Sequence, residues 1–168
     1  MDLNVDDLFH LPDLAQLVRV LVRVMVAAAL GGFLGFERER AGKAAGLRTH
    51  MLVALGAALF VLFPAEAGMS TGDLSRVIQG VATGIGFIGA GTILKRPDTD
   101  EIQGLTTAAS IWLTAAIGMA VGAGQLWLPI ISAVAAWLIL FAVSRLMPQT
   151  PPRQVLPPDT TAGGSLRE

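Results

Sequence analysis

The sequence contains no cysteine, which removes disulfides, thiolate metal sites and cysteine nucleophiles. Charge is scarce as well. Asp, Glu, Lys and Arg make up 15% of the 168 residues, where a soluble domain carries about 25%. The two histidines, His10 and His50, lie far apart, with no HExxH or comparable metal spacing. No GxxxxGK[ST] stretch offers a phosphate cradle. With a net charge of −1 and its cations clustered by segment, the chain presents no basic face for nucleic acid. Nucleophile and base form no visible constellation, so no catalytic residue is assigned and an enzyme is not expected. The opening MDLNVDDLFHLPD is acidic where a signal peptide would be basic, so insertion is expected to use an uncleaved first helix.

What the chain has in abundance is apolar surface and glycine. Hydrophobic residues make up 53% of it, and the mean hydropathy is +0.62. The stretch GVATGIGFIGAGTIL, residues 80–94, is uncharged and carries glycine at 80, 84, 86, 89 and 91. In a water-soluble helix each internal glycine costs roughly 0.5–1 kcal/mol relative to alanine. In lipid the helix holds because its hydrogen bonds are internal, and small residues let neighbouring backbones approach. This stretch is expected to be the central helix of a membrane bundle, with Gly80, Gly84, Gly86, Gly89 and Gly91 as packing positions. Gly31 and Gly35 offer a second close-packing face.

Five spans are expected, so the fold class is an all-α, polytopic membrane bundle occupying residues 14–146. The spans fall near residues 14–36, 51–63, 73–94, 105–121 and 126–146, the last two divided at the Gly-Ala-Gly-Gln turn of residues 122–125. Residues 1–13 form an outer polar segment, and the proline-rich residues 147–168 are expected to be disordered. Arg38, Arg40, Lys43, Arg48, Lys95, Arg96, Arg145 and Arg153 gather on one side, which the positive-inside rule makes cytoplasmic. The orientation is N-out, C-in.

Polar residues near the hydrocarbon boundary are the candidates for function. Arg19 snorkels to the headgroups, whereas Arg23, a turn deeper, suits a paired, bundle-facing role. Glu37, Arg38, Glu39, Arg48 and His50 form a collar at the cytoplasmic face. For Glu37, Arg38 and Arg48, anchoring and function are both open, while Arg40 and Lys43 read as anchors. His50 reads as interfacial rather than a ligand. Thr106 and Thr107 are expected to cap the fourth helix or present hydroxyls to the collar, with capping preferred. Asp73 is expected to cap the third helix and to pair with Arg76; Gln79 is an unpaired polar group heading down the glycine face. No metal site is assigned.

Three blocks carry a family resemblance. LGGFLGFERERAGKAAGLRTHMLVALGAALF, DLSRVIQGVATGIGFIGAGTIL and IQGLTTAASIWLTAAIGMAVGAGQ closely resemble the membrane domain of the MgtC/SapB family, over about residues 17–146. The resemblance implies a multi-pass protein of the bacterial inner membrane with five helices. It implies a link to growth in low magnesium and to virulence, and a short form without the soluble domain many members carry. The family's recurrent polar positions fall on Glu37, Arg38, Glu39, Arg48, Thr49, Asp73, Arg76, Gln79, Thr106 and Thr107, and its packing glycines on Gly84, Gly86, Gly89 and Gly91. Two functions follow as expectations. One is a non-enzymatic regulator of another membrane protein, such as an ATP synthase or a transport ATPase. The other is a component of a route for magnesium or another ion. No cofactor is assigned, Mg2+ being the one candidate ligand. The expected partners are the bilayer, that membrane protein and a second copy in a homodimer.

Overall fold

Asp13 starts the first helix, its carboxylate accepting the N–H of Gln16, as an N-cap residue does. The computed structural model describes residues 13–95 and 102–146; the expectations for the first twelve residues, the charged loop and the tail fall outside them. Five helices follow: α1 (Leu14–Arg40), α2 (Leu47–Glu66), α3 (Thr71–Ala90), α4 (Leu105–Gly122) and α5 (Trp127–Leu146). Between α3 and α4 lies a short antiparallel ribbon, β1 (Leu94–Lys95) with β2 (Ile102–Gln103), Leu94 opposite Gln103. Three helices, α1, α2 and α4, are long and apolar enough to cross a membrane, and residues 127–142 of α5 add a shorter apolar helix. The third helix falls short of that standard because Gly, Ser, Thr, Gln, Asp and Arg dilute its apolar content.

Helix boundaries depart from the apolar runs where polar residues continue the coil. Helix α1 runs through Glu37–Arg40, and α2 begins at Leu47, a turn before the apolar run. Pro64 is tolerated in the last turn of α2, before Gly68 at φ +73° ends it. The third helix is capped by Ser70 rather than Asp73. The Ser70 backbone is extended, and its Oγ accepts the Asp73 N–H at 3.2 Å while donating to Asp73 Oδ2 at 2.7 Å. Asp73 is already inside the first turn, where its charge suits the helix dipole. It faces Ser70, and no ion pair joins it to Arg76 among the described residues.

The centre of the bundle is α4, not the glycine-rich α3. Helix α4 packs against all four other helices. In α3 only Ile85 and Gly89 are buried. The reason lies in α2, whose small residues Ala54 and Ala58 are gripped from two sides. From α1, an added Cβ at Gly31 would lie 2.8 Å from Ala54 Cβ, and one at Gly35 would lie 2.8 Å from Leu47 Cα. From α4, a Cβ at Gly118 would strike the Ala54 carbonyl oxygen and one at Gly122 the Ala58 carbonyl oxygen. Helix α2 is thus clamped between two glycine pairs, at distances only glycine permits. In a bilayer, where apolar burial gives little drive between helices, such dense van der Waals contact is what holds them together.

By contrast, an added Cβ at Gly80, Gly84 or Gly86 meets nothing within 4 Å. Gly89 makes ordinary contact with Ala108, and Gly91 approaches only carbonyls of its own helix. The glycines expected to build the centre therefore lie mostly on open faces of the single chain. Gly104 has a different task. It holds φ +94°, and a Cβ there would collide with the Thr92 carbonyl, so only glycine lets the ribbon turn into α4 this tightly. Gly104 also occupies the N-cap position of α4 without a side-chain bond, which displaces Thr106 and Thr107 from the capping role expected of them.

Candidate functional site

The α1–α2 turn builds a polar site from both helix ends. Glu39, in the last turn of α1, accepts the Leu47 N–H at Oε2 (2.7 Å) and so caps α2 from outside it. Gly46 supplies no side chain, and its Cβ position lies 2.7 Å from that carboxylate oxygen. Arg38 is buried, its side chain 4% exposed, and its Nε lies 3.5 Å from Glu37 Oε2. Neither of these two buried atoms has a hydrogen-bond partner, so the pair is close but geometrically loose.

Deeper in, His50 is fully buried against α4. Its Nδ1 faces the Gly46 carbonyl at 2.9 Å and therefore carries a proton; its Nε2 lies 3.2 Å from Ser110 Oγ. The Ser110 hydroxyl is also 2.8 Å from the Thr107 carbonyl, and Thr114 Oγ1 donates to the Ser110 carbonyl at 2.8 Å. A serine has one proton to give, so imidazole and Thr107 carbonyl compete for it. Thr107, Ser110 and Thr114 are all buried, which makes this a polar thread along the interface between α2 and α4. The charges of Glu37 and Arg38 reach the imidazole.

The structure thus gathers Glu37, Arg38, Glu39, His50 and Thr107 at one end of the bundle. Arg48 and Thr106 are exposed beside them, with no side-chain partner among the described residues, and Arg40 lies over the Phe36 ring at 5.6 Å. Asp73, Arg76 and Gln79 stand apart on the exposed side of α3. Ser110 and Thr114 escape the sequence reading, although their three- and four-residue spacing with Thr107, Gly118 and Gly122 marks a continuous small and polar row.

At the other end of α1, Arg23 finds the paired role expected of it. Its NH1 lies 3.6 Å from Glu66 Oε1 and 3.4 Å from the Gly122 carbonyl, and Gln16 Nε2 donates to Glu66 Oε2 at 2.9 Å. This ties α1, α2 and the α4 C-terminus. Fifteen residues of α1 separate Arg23 from Arg38, about 22 Å at helical rise. Among the described residues no group of three or more His, Cys, Asp or Glu could hold a metal ion.

A cleft of about 620 Å³ opens between α2 and α3. Its lining includes Leu52, Phe60, Val77 and Ile88, and at Gly56, Gly80 and Gly84 its floor is backbone alone.

The glycine clamp, the charged turn and the buried histidine all lie within residues 24–148, the span matched by the family model described as MgtC family. The chain belongs to the MgtC family. SrpB of Synechococcus elongatus is 44% identical over 135 residues, covering 74% of each protein. YhiD of Escherichia coli K12, whose name offers magnesium transport as a proposed role, is 46% identical over 130 residues. That match covers 71% of this chain and 58% of YhiD. MgtC of Brucella abortus is 44% identical over 123 residues, 72% of this chain and 48% of its own length. The chain therefore spans about half to three quarters of the curated relatives it matches. No solved structure matches it.

Proposed function

We propose that all five helices cross the bacterial inner membrane, N-out and C-in, and that this MgtC-family protein is a non-enzymatic regulator of another membrane protein. The setting is magnesium homeostasis, and the family resemblance makes a membrane ATPase the partner class. The observation that carries this reading is the α2–α3 cleft. It is an apolar groove whose floor is unoccupied glycine backbone, the kind of surface into which another helix seats its bulky side chains.

The ion-route alternative requires carbonyls freed by a break in the third helix. Helix α3 is continuous from Thr71 to Ala90, so its internal carbonyls are committed to helical hydrogen bonds. That favours the regulator.

The test is magnesium flux into sealed liposomes carrying the purified, folded chain with an entrapped indicator. The expected result is uptake no faster than in protein-free vesicles. Uptake abolished by Asp73→Ala or Glu37→Ala would overturn the regulator in favour of transport.

A further inference from the structure

The side of α3 turned away from α4 carries a second pattern, distinct from the cleft. Gly72, Arg76, Gln79, Thr83, Gly86 and Ala90 follow one another at spacings of four, three, four, three and four, and all six are exposed. The buried Ile85 lies on the far side of the helix and the buried Gly89 on its flank, about 100° round from the middle of this row. Alternating three and four is the seam of two helices crossing at about 20°.

Composition distinguishes this seam from a lipid-facing surface. Exposed positions of α1 and α5 are bulky and apolar, among them Leu21, Met25, Leu138 and Ile139. None of the six seam residues is large and apolar, and the exposed Phe87 stands at the edge of the row. Gln79 presents an amide and Arg76 a guanidinium, and among the described residues neither has a side-chain partner. An unpaired amide facing hydrocarbon is costly, so something other than lipid covers this face.

We propose that the cover is a second copy of this chain, with α3 packed against α3 about a twofold axis along the membrane normal. The proposal rests on the five-span reading above. Two copies inserted the same way can be related only by such an axis if they meet symmetrically, so the two helices run parallel and in register. Gln79 then faces Gln79 of the partner subunit, and a carboxamide, being both donor and acceptor, is its own complement. Arg76 and Asp73, one turn apart at the outer end, are a self-complementary pair. Each Arg76 is offered Asp73 of the partner subunit, whose carboxylate in the single chain meets only Ser70. Gly72, Gly86 and Ala90 let the backbones close on either side of these contacts.

Because the chain has no cysteine, single introduced cysteines report on this face without background. In membranes holding the full chain, oxidation should crosslink Gln79→Cys, Thr83→Cys and Gly86→Cys into dimers. Gly84→Cys in the cleft and Leu138→Cys on α5 should crosslink far less, since a disulfide requires Cβ atoms about 4 Å apart. Resonance transfer between labelled copies in vesicles should show Gln79→Leu weakening association about threefold, the size of an average interhelical polar contact in a bilayer. Topology is read separately, by whether an impermeant maleimide reaches Asp73→Cys and Lys95→Cys from opposite sides. Same-side labelling overturns the five-span reading and the dimer with it. Opposite-side labelling with seam crosslinks no stronger than the controls, or with association unchanged by Gln79→Leu, overturns the dimer alone.

Discussion

Two regions of this bundle are built on glycine, and they use it in opposite ways. At Gly31, Gly35, Gly118 and Gly122 the missing side chain is filled by another helix of the same chain, so closely that a Cβ would meet backbone or an alanine methyl. At Gly56, Gly80, Gly84 and Gly86 the missing side chain leaves open space. The first group belongs to the α1–α2–α4 core. The second lies on α3 and on the side of α2 that faces it. Small residues at four-residue spacing therefore announce a face meant for close approach, and say nothing about whether the approaching helix is encoded in the same chain. In the core the face is satisfied, and its function is architecture. On α3 it is left open by the rest of the described chain.

The sharpest way to break that comparison is to put the same side chain in both places. Gly118→Leu drives four carbons into the Ala54 carbonyl. Overpacking a well-filled site costs about 1–3 kcal/mol, and more where backbone must move; the expected outcome is loss of most folded, monodisperse protein in mild detergent. Gly84→Leu projects into the cleft and should shift thermal stability by no more than about 0.5 kcal/mol, like other substitutions that meet nothing. Unfolding followed by size-exclusion fluorescence decides between them. Equal damage at the two sites would remove the distinction.

The same contrast shows what could and could not be read from sequence. Helix number and the bounds of α4 and α5 were legible, because long apolar runs have few alternatives and the uncharged break at residues 122–125 is the one place to divide the last two helices. The ends of α2 and α3, by contrast, fell two to four residues from the apolar runs. The centre was not. Glycine density pointed to α3, yet centrality depends on which small face meets which. That is a property of pairs of helices, not of either alone. The turn of α1 at Glu37–Arg40 was hidden by its charge, since ERER reads as loop until Glu39 is seen capping α2 across the turn. Arg23 was legible as a charge too deep to be left alone. Its partner Glu66 lies at the far end of α2 and becomes a neighbour only when the helices pack antiparallel.

The polar thread is a second point of comparison, because its buried His50, Ser110 and Thr114 side chains are hydrogen-bonded, whereas Arg76 and Gln79 on α3 are exposed and have no side-chain partner among the described residues. His50→Leu keeps volume but removes the ring's contacts with the Gly46 carbonyl and with Ser110 Oγ, leaving them the residue 50 backbone N–H and the Thr107 carbonyl as partners. Each lost hydrogen bond costs about 0.5–1.5 kcal/mol, so the expected loss of stability is about 1–3 kcal/mol. Gln79→Leu on α3 removes no intramonomer side-chain bond and should leave monomer stability unchanged in the same assay. If His50→Leu were neutral, the thread would be incidental to packing.

The smallest effect is expected at the Arg23–Glu66 clamp, and it sharpens the comparison by separating charge from packing inside the core itself. Both side chains are 25% exposed and lie 3.6 Å apart, so their surroundings partly screen the pair. Pairs of this kind are worth about 0–1 kcal/mol. Glu66→Gln is nearly isosteric and keeps an oxygen able to accept from Gln16 and from Arg23, so it should cost less than half of what His50→Leu does. The Arg23 contact with the Gly122 carbonyl survives, and with it the link between α1 and the end of α4. A loss as large as that of His50→Leu would mean that charge, rather than the close-packed glycine rows beside it, fixes this end of the core, and that the open glycines of α3 differ from Gly122 only in lacking an ion pair nearby.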